Sequence, residues 1–274
     1  MKSEIQEQYE IERELAERLR AASREERILL YSSLYDELFR RVPYHSLLKQ
    51  KQSSALTATK IHLQFDILKS LLGPDTVFAE IGAGDCSLSH AVAKIVKKVY
   101  ALEVSAIIAG HDNAPDNFEL VIFDGCNIPL PDDSVDVAYS NHVMEHLHPD
   151  DALDQLKSIY RTVRPDGMYV LRTPNRLTGP HDISKHFDRI ATCFHLKEYT
   201  NTELFGLLRA AGFSKVQRCR FPVPALGGRY VTVPVLVVKV FECLFSMMPF
   251  WFRRKAAGLR PVRKILDIEL MAKK

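Results

Sequence analysis

Three carboxylates and three histidines hold the chemistry that this sequence can do. Glu80, Glu103 and Asp124 each close a short apolar run that reads as a strand: Val77-Phe78-Ala79, Val99-Tyr100-Ala101-Leu102 and Leu120-Val121-Ile122-Phe123. Buried at strand ends, such acids can accept hydrogen bonds from hydroxyl and amino groups, and they favour a nearby cation. Glu80 opens Glu80-Ile81-Gly82-Ala83-Gly84-Asp85-Cys86, and a helix-like run from Leu88 to Val96 follows. A glycine turn between a strand and a helix lets the backbone approach a ligand at a helix N-terminus. Beyond a fourth strand, Val137-Ala138-Tyr139, lie His142, His146 and then His181. A neutral histidine can take a proton near pH 7.

The elements that position these residues alternate from about 60 to 219. Strands are expected at 76–80, 99–103, 119–123, 135–139, 167–172 and 215–221, with helices between them at 60–72, 151–164 and 201–211. Gly73-Pro74, Pro165-Asp166-Gly167 and Gly212 supply stops. Alternation of this kind implies right-handed crossovers and a doubly wound sheet, with ligands outside the carboxyl ends of the strands. Before it, Ile11, Leu15, Leu19 and then Leu30, Leu34, Leu38 recur every four residues until Pro43. Residues 1–56 are therefore read as a helical cap, either packed on the domain or acting as a lid, with the main domain over 57–274.

The ordered set of glycine turn, Glu103, Asp124 and Ile128-Pro129-Leu130-Pro131-Asp132-Asp133-Ser134-Val135-Asp136 resembles the class I S-adenosylmethionine (SAM)-dependent methyltransferases. The resemblance implies a Rossmann-like α/β fold of seven strands, mostly parallel, with an antiparallel seventh pairing with the sixth. The alternating Ile265–Ala272 would be that strand, which makes 224–264 a helical insertion between strands six and seven. SAM is then the expected cofactor, and the implied binding residues are Glu80, Gly82, Ala83, Gly84, Cys86, Glu103, Val104, Asp124, Gly125, Cys126 and Asn141. Glu80 would lie near the methionine end, Glu103 on the ribose hydroxyls and Asp124 on the adenine amino group. Cys86 replaces a frequent third glycine. NAD is the rival ligand, but its fingerprint wants glycine where Ser87 stands.

Ser140-Asn141-His142-Val143-Met144-Glu145-His146-Leu147 follows strand four, where the family faces cofactor and acceptor. The Asn/Asp-Pro-Pro-aromatic sequence of DNA and some protein amino-methyltransferases is absent, so no nucleic-acid substrate is expected. The Glu-His pair resembles that of the ubiquinone-biosynthesis O-methyltransferases, of the small-molecule branch. Expected acceptors are therefore small molecules methylated on a hydroxyl oxygen: a metabolite, a lipid or a lipid-linked sugar. C- or N-methylation, or SAM binding without turnover, are the alternatives. His146, His142 and His181 are the base candidates, in that order. His142-x-x-Glu145-His146 also fits an inverted zinc-protease pattern, but the flanking strands account for the segment and no metal is assigned.

The 274 residues are 46% hydrophobic and 26% charged with a net charge of +3, which suits a globular domain and demands no polyanion. Five cysteines without a CxxC pair and a charged, helix-patterned N-terminus point to the cytoplasm. Residues 231–252 are nearly all apolar, and Arg253, Arg254, Lys255, Arg260, Arg263 and Lys264 follow. Pro234, Lys239, Glu242 and Pro249 argue against a span. Lys239, Glu242 and Ser246 share one helical face, so the stretch reads either as a helix buried against the domain or a partner, or as an interfacial helix giving 231–264 a peripheral membrane contact.

Overall fold

The computed structural model describes residues 3–51, 61, 64–110, 114–218, 221–223, 229–231 and 233–274. Helices α1 (Glu4–Ala21) and α2 (Arg24–Arg41) form a hairpin, and α3 (Ser46–Lys51) follows. Ser23 caps α2 reciprocally with Glu26, which satisfies two end N–H groups at once. Helical residues 64–68 then precede Gly73-Pro74. The alternating unit comprises β1 (Val77–Ile81), α4 (Ser87–Ala93), β2 (Lys98–Glu103), β3 (Phe118–Ile122), β4 (Val135–Asn141), α5 (Pro149–Thr162), β5 (Val163–Thr173), α6 (Asn201–Ala210) and β6 (Lys215–Arg218). A hairpin of β7 (Phe221–Val223) and β8 (Arg229–Val231) leads to α7 (Val235–Ser246), α8 (Phe250–Ala256) and α9 (Arg260–Leu266), and β9 (Ile268–Lys273) closes the chain.

The seven-stranded sheet runs β3-β2-β1-β4-β5-β9-β6, and every pairing from β3 to β5 is parallel. β9 is antiparallel to both neighbours, so it pairs with β6, as expected, and also with β5. Side chains alternate between two cores, as strand geometry requires. Phe78, Val137, Tyr139 and Val170 pack with Leu68, Leu88 and Val92 on one face. Ala79, Ile81, Ala138, Tyr169 and Leu171 pack on the other with Leu15, Leu34, Leu38 and Leu156 from α1, α2 and α5.

Three sequence expectations need correction. β5 begins at Val163 instead of 167, because Val163 already pairs with Val135 before the register shifts. Pro165, which cannot donate to a ladder, and Asp166 at φ +65° sit in that irregularity. The insertion is not wholly helical, since β8 within it pairs with β7 just before it. Of the strand expected over 215–221, 219 and 220 lie outside the described residues, as do 224–228 of the insertion and 52–56 of the cap. The third concerns α7. Glu242, the acidic member of its polar face, points inward with Val238 and Phe245, while Leu236, Val237, Val240 and Leu244 face out. No described helix is long and apolar enough to cross a membrane.

Candidate active site

Crossovers leave β1 in opposite directions towards β2 and β4, so a crevice opens at their carboxyl ends. A cavity of 610 Å³ occupies it, within the range of about 300–1,000 Å³ usual for small-molecule sites. The glycine turn forms its floor. Gly82 has φ +70°, and a Cβ there would lie 2.4 Å from Val143 Cγ2, so only glycine fits. The Gly82 and Ala83 N–H groups donate to Leu102 O at 2.8 and 3.0 Å, fixing the turn against β2.

Glu103 is buried beside that turn. Its carboxylate accepts from Gly84 N at 2.7 Å, Val104 N at 2.8 Å and Ser105 N at 3.2 Å. Burial raises its pKa, and the three N–H donors work against that rise. Glu80 lies deeper, accepting from Ser89 Oγ at 2.6 Å. Burial pushes its carboxyl up to about 8, so a cation in the cavity would favour its ionised form. At the far end Gly125, with φ +86°, leaves room for the Tyr31 ring, and its carbonyl accepts from Gln155 Nε2 at 2.6 Å.

The cap supplies much of the remaining wall: Gln8 and Glu12 from α1, and Tyr31, Tyr35, Leu38 and Phe39 from α2. Three buried wall atoms, Tyr35 Oη, Asn141 Oδ1 and Gln155 Oε1, have no hydrogen-bond partner among the described residues. Buried polar atoms are rarely left so.

The histidines gather on the opposite wall. His142 at φ +58° places Nδ1 2.9 Å from Glu145 Oε1, and Thr173 Oγ1 donates to Glu145 Oε2 at 2.7 Å. Burial opposes ionisation of Glu145, but the His142 bond prevails and holds its carboxyl well below the usual range. His146 Nδ1 lies 3.0 Å from Phe194 O, which can only accept, so this nitrogen carries the proton and Nε2 the lone pair. Burial brings His146 down to about 4, which keeps it neutral. His195 meets it edge to face with centroids 4.9 Å apart. Its Nδ1 is 2.7 Å from Glu198 Oε1. Burial alone would lower His195, but Glu198 and then Glu145 outweigh it and the pKa rises. Glu198 Oε1 also accepts from His181 N at 2.7 Å.

Of the residues expected from sequence, Glu80, Gly82, Ala83, Gly84, Glu103, Val104, Gly125, Asn141, His142, His146 and His181 line the cavity. Cys86, Asp124 and Cys126 stand outside the lining. Cys86 is fully buried against Ala83 and Ala101, and burial pushes both its thiol and that of Cys126 up to about 12. Asp124 spends its carboxylate on its own loop, accepting from Cys126 N at 2.8 Å and Asn127 N at 2.7 Å. Sequence reasoning missed Tyr35, Gln155 and the His195–Glu198 pair, whose i,i+3 spacing was its only visible signal. One ligating atom each of Glu145, His146 and His195 lies within 4.8 Å of the others, close enough for a cation to bridge.

Comparison with known proteins gives the same direction. A family profile described as a methyltransferase domain matches residues 79–171. A Mycolicibacterium smegmatis protein described as a probable S-adenosylmethionine-dependent methyltransferase is 31% identical over 49% of this chain and 50% of its own length. A Mycobacterium tuberculosis protein of the same description is 30% identical over 51% of this chain and 49% of its own. The chain thus spans about half the length of these curated relatives. A SAM-dependent methyltransferase from Archaeoglobus fulgidus superposes with a TM-score of 0.52 over 82% of this chain and 97% of that one, at 16% identity, a likeness of fold.

Proposed function

We propose that this chain is a class I SAM-dependent methyltransferase, with SAM as its cofactor, and that it methylates a small-molecule acceptor on a hydroxyl oxygen. SAM supplies an electrophilic methyl group on a positively charged sulfur. The cavity suits it: the carboxylates of Glu80 and Glu103 favour a cation and accept from hydroxyls. On this reading Glu103 holds the ribose, and Gly82, Ala83 and Gly84 let the backbone approach the methionine end.

The observation that carries the reading is the pair His146 and His195 on the cavity wall, each with Nδ1 committed to a protein acceptor. Each ring keeps Nε2 for a proton from the acceptor. His195 is the stronger base of the two, because Glu198 orients and raises it while His146 is held near 4. His142 serves through Glu145, and His181 is braced by Glu198 and by Asn175 O at 3.2 Å from its Nε2. Positioning and exclusion of water by the cap supply the rest of the rate. A second reading is favoured by the closeness of Glu145, His146 and His195: a divalent cation held there would lower the pKa of a bound hydroxyl.

Incubation of the protein with carbon-13-methyl SAM and fractions of polar metabolites, lipids and lipid-linked sugars tests the proposal. Carbon NMR separates O-, N- and C-methyl products. The expected result is an O-methyl product, with His195→Gln lowering kcat about 100-fold at unchanged SAM affinity. SAM binding without any transfer, or an N- or C-methyl product, overturns it. Chelator treatment leaves turnover intact if histidine is the base, whereas loss restored by a divalent cation selects the second reading.

A further inference from the structure

Helix α7 is built inside out for a protein in water. Its one carboxylate, Glu242, is buried as an anchor. Glu242 Oε1 accepts from Asn201 N at 2.7 Å and from Asn175 Nδ2 at 2.9 Å, and Oε2 accepts from Thr202 N at 3.0 Å and Thr202 Oγ1 at 2.7 Å. The acid thereby caps α6, where a negative charge is favoured. Phe245, Ala256 and Leu266 close around Leu177 beneath it.

Much of what remains outward is apolar. Leu236 is 72% exposed, Leu244 57%, Met247 78% and Trp251 69%. Val237, Val240 and Leu244 recur at three and four residues, so they form one stripe along α7; exposed Met247 caps its end and exposed Trp251 follows in α8. Solvent-facing apolar patches of this extent are rare unless something covers them. The same three helices carry exposed cations: Lys239 on α7, Arg254 and Lys255 on α8, and Arg260 and Arg263 on α9. Between 235 and 266 the sequence has seven Lys and Arg, and Glu242, turned inward, is its one acid.

That charge selects the occupant. A second copy docked face to face would bring like charges together, whereas an anionic lipid surface complements them. A short helix with an apolar face and accompanying cations, too short to span, lies in the plane of an interface. We propose that the outward face of α7 and α8 docks on a bilayer containing anionic lipid, with Leu244, Met247 and Trp251 among the acyl chains and the exposed cations at the phosphates. The face adjoins a loop that lines the cavity. Arg189 lies 5.9 Å over the Phe250 ring, and its loop also carries the cavity residues Ile183 and Lys185 and the exposed Phe187 and Ile190. Docking deepens the proposed acceptor class towards a lipid or lipid-linked sugar, but its test is independent of methyl transfer.

Trp251 is the chain's one tryptophan and reports on the face directly. The full chain is titrated with phosphatidylcholine vesicles, with and without phosphatidylglycerol, while emission and co-sedimentation are followed at low and high salt. The expected result is a blue shift and sedimentation with the anionic vesicles, weakened about tenfold by Arg254→Glu with Lys255→Glu and by Leu244→Asp. SAM binding by the variants shows that they remain folded. No shift and no sedimentation at low salt overturns the proposal. So does burial of Trp251 in a dimer without vesicles, or equal binding of the charge-reversed variant.

Discussion

Glu198 touches two histidines, and its effect on His195 has a definite sign. The pKa of His195 is raised above its ordinary 6.5, since the Glu198 and Glu145 carboxylates outweigh burial. Protonated His195 therefore adds to stability in full below 6.5, and that contribution fades as pH rises through the folded value. On the proposed base role the neutral ring is required, so kcat/KM should climb with pH through that raised value. Glu198→Gln removes the carboxylate, so the rising limb should move to lower pH while the plateau falls about tenfold or more. A pH–rate profile of both proteins checks this, and an unmoved limb would remove His195 from the base role. His146 and Glu80 were legible because each adjoins a strand end with a recognisable local pattern. His195 was not, because 187–200 is irregular and reaches the site through distant contacts. Arg20 donates to Thr192 O at 2.7 Å and Cys193 O at 3.0 Å, and Arg176 N donates to Tyr199 O at 2.8 Å. Asp124 shows the converse: its strand-end position suggested a ligand, and its short side chain found nearer N–H groups.

At the scale of elements, the α7–α6 joint shows why periodicity alone misleads. Lys239, Glu242 and Ser246 do share a helical face, which the spacing revealed. Which neighbour needs a charge is a tertiary fact: the N-terminus of α6 presents free N–H groups, and Glu242 meets them. Glu242→Gln keeps the shape but loses the charge and turns part of the acceptor into a donor facing Asn201 and Thr202. The expected cost is about 2–3 kcal/mol in urea unfolding, as for hydrogen bonds to a buried charged group. Glu242→Ala should cost more, since several buried donors lose their acceptor at once. Lys239→Ala, on the exposed side, should change stability by less than about 0.5 kcal/mol. Equal effects for the three would mean that α7 is not anchored through Glu242. The central strands β1 and β4 were easier to read because they are apolar on both faces, and β9 because it alternates, patterns set locally, whereas the bulge at 163–167 depends on what β4 offers across the ladder.

For the whole molecule, the decisive joint is the one that holds the cap over the cavity. Arg27 on α2 and Asp151 on α5 form a two-pronged pair, Nε to Oδ2 at 2.7 Å and Nη2 to Oδ1 at 2.6 Å, with side chains only 6% and 1% exposed. Tyr31 Oη adds a bond to Asp151 Oδ2 at 2.8 Å and accepts from His148 N at 2.8 Å. The same α2 places Tyr31 and Tyr35 on the cavity wall, so loosening this joint should weaken ligand binding as well as the fold. Removing one partner leaves a buried charge alone, so Asp151→Asn should cost about 3–5 kcal/mol, while Arg27→Met with Asp151→Leu should recover much of it. Burial works against ionisation of Asp151, but Arg27 and Tyr31 prevail and hold its pKa below the ordinary 3.8. Its stabilising contribution is therefore complete above about 4 and disappears as pH falls through the folded value. Urea unfolding across pH 2 to 7, run with SAM titration at neutral pH, reads both consequences, the pH values being roughly those that bracket a carboxylate. The wild type should lose stability below about pH 4 more steeply than the double variant, which lacks that group. A double variant that is stable yet binds SAM as tightly as wild type would separate the cap from the cofactor, and assign α2 to the acceptor alone.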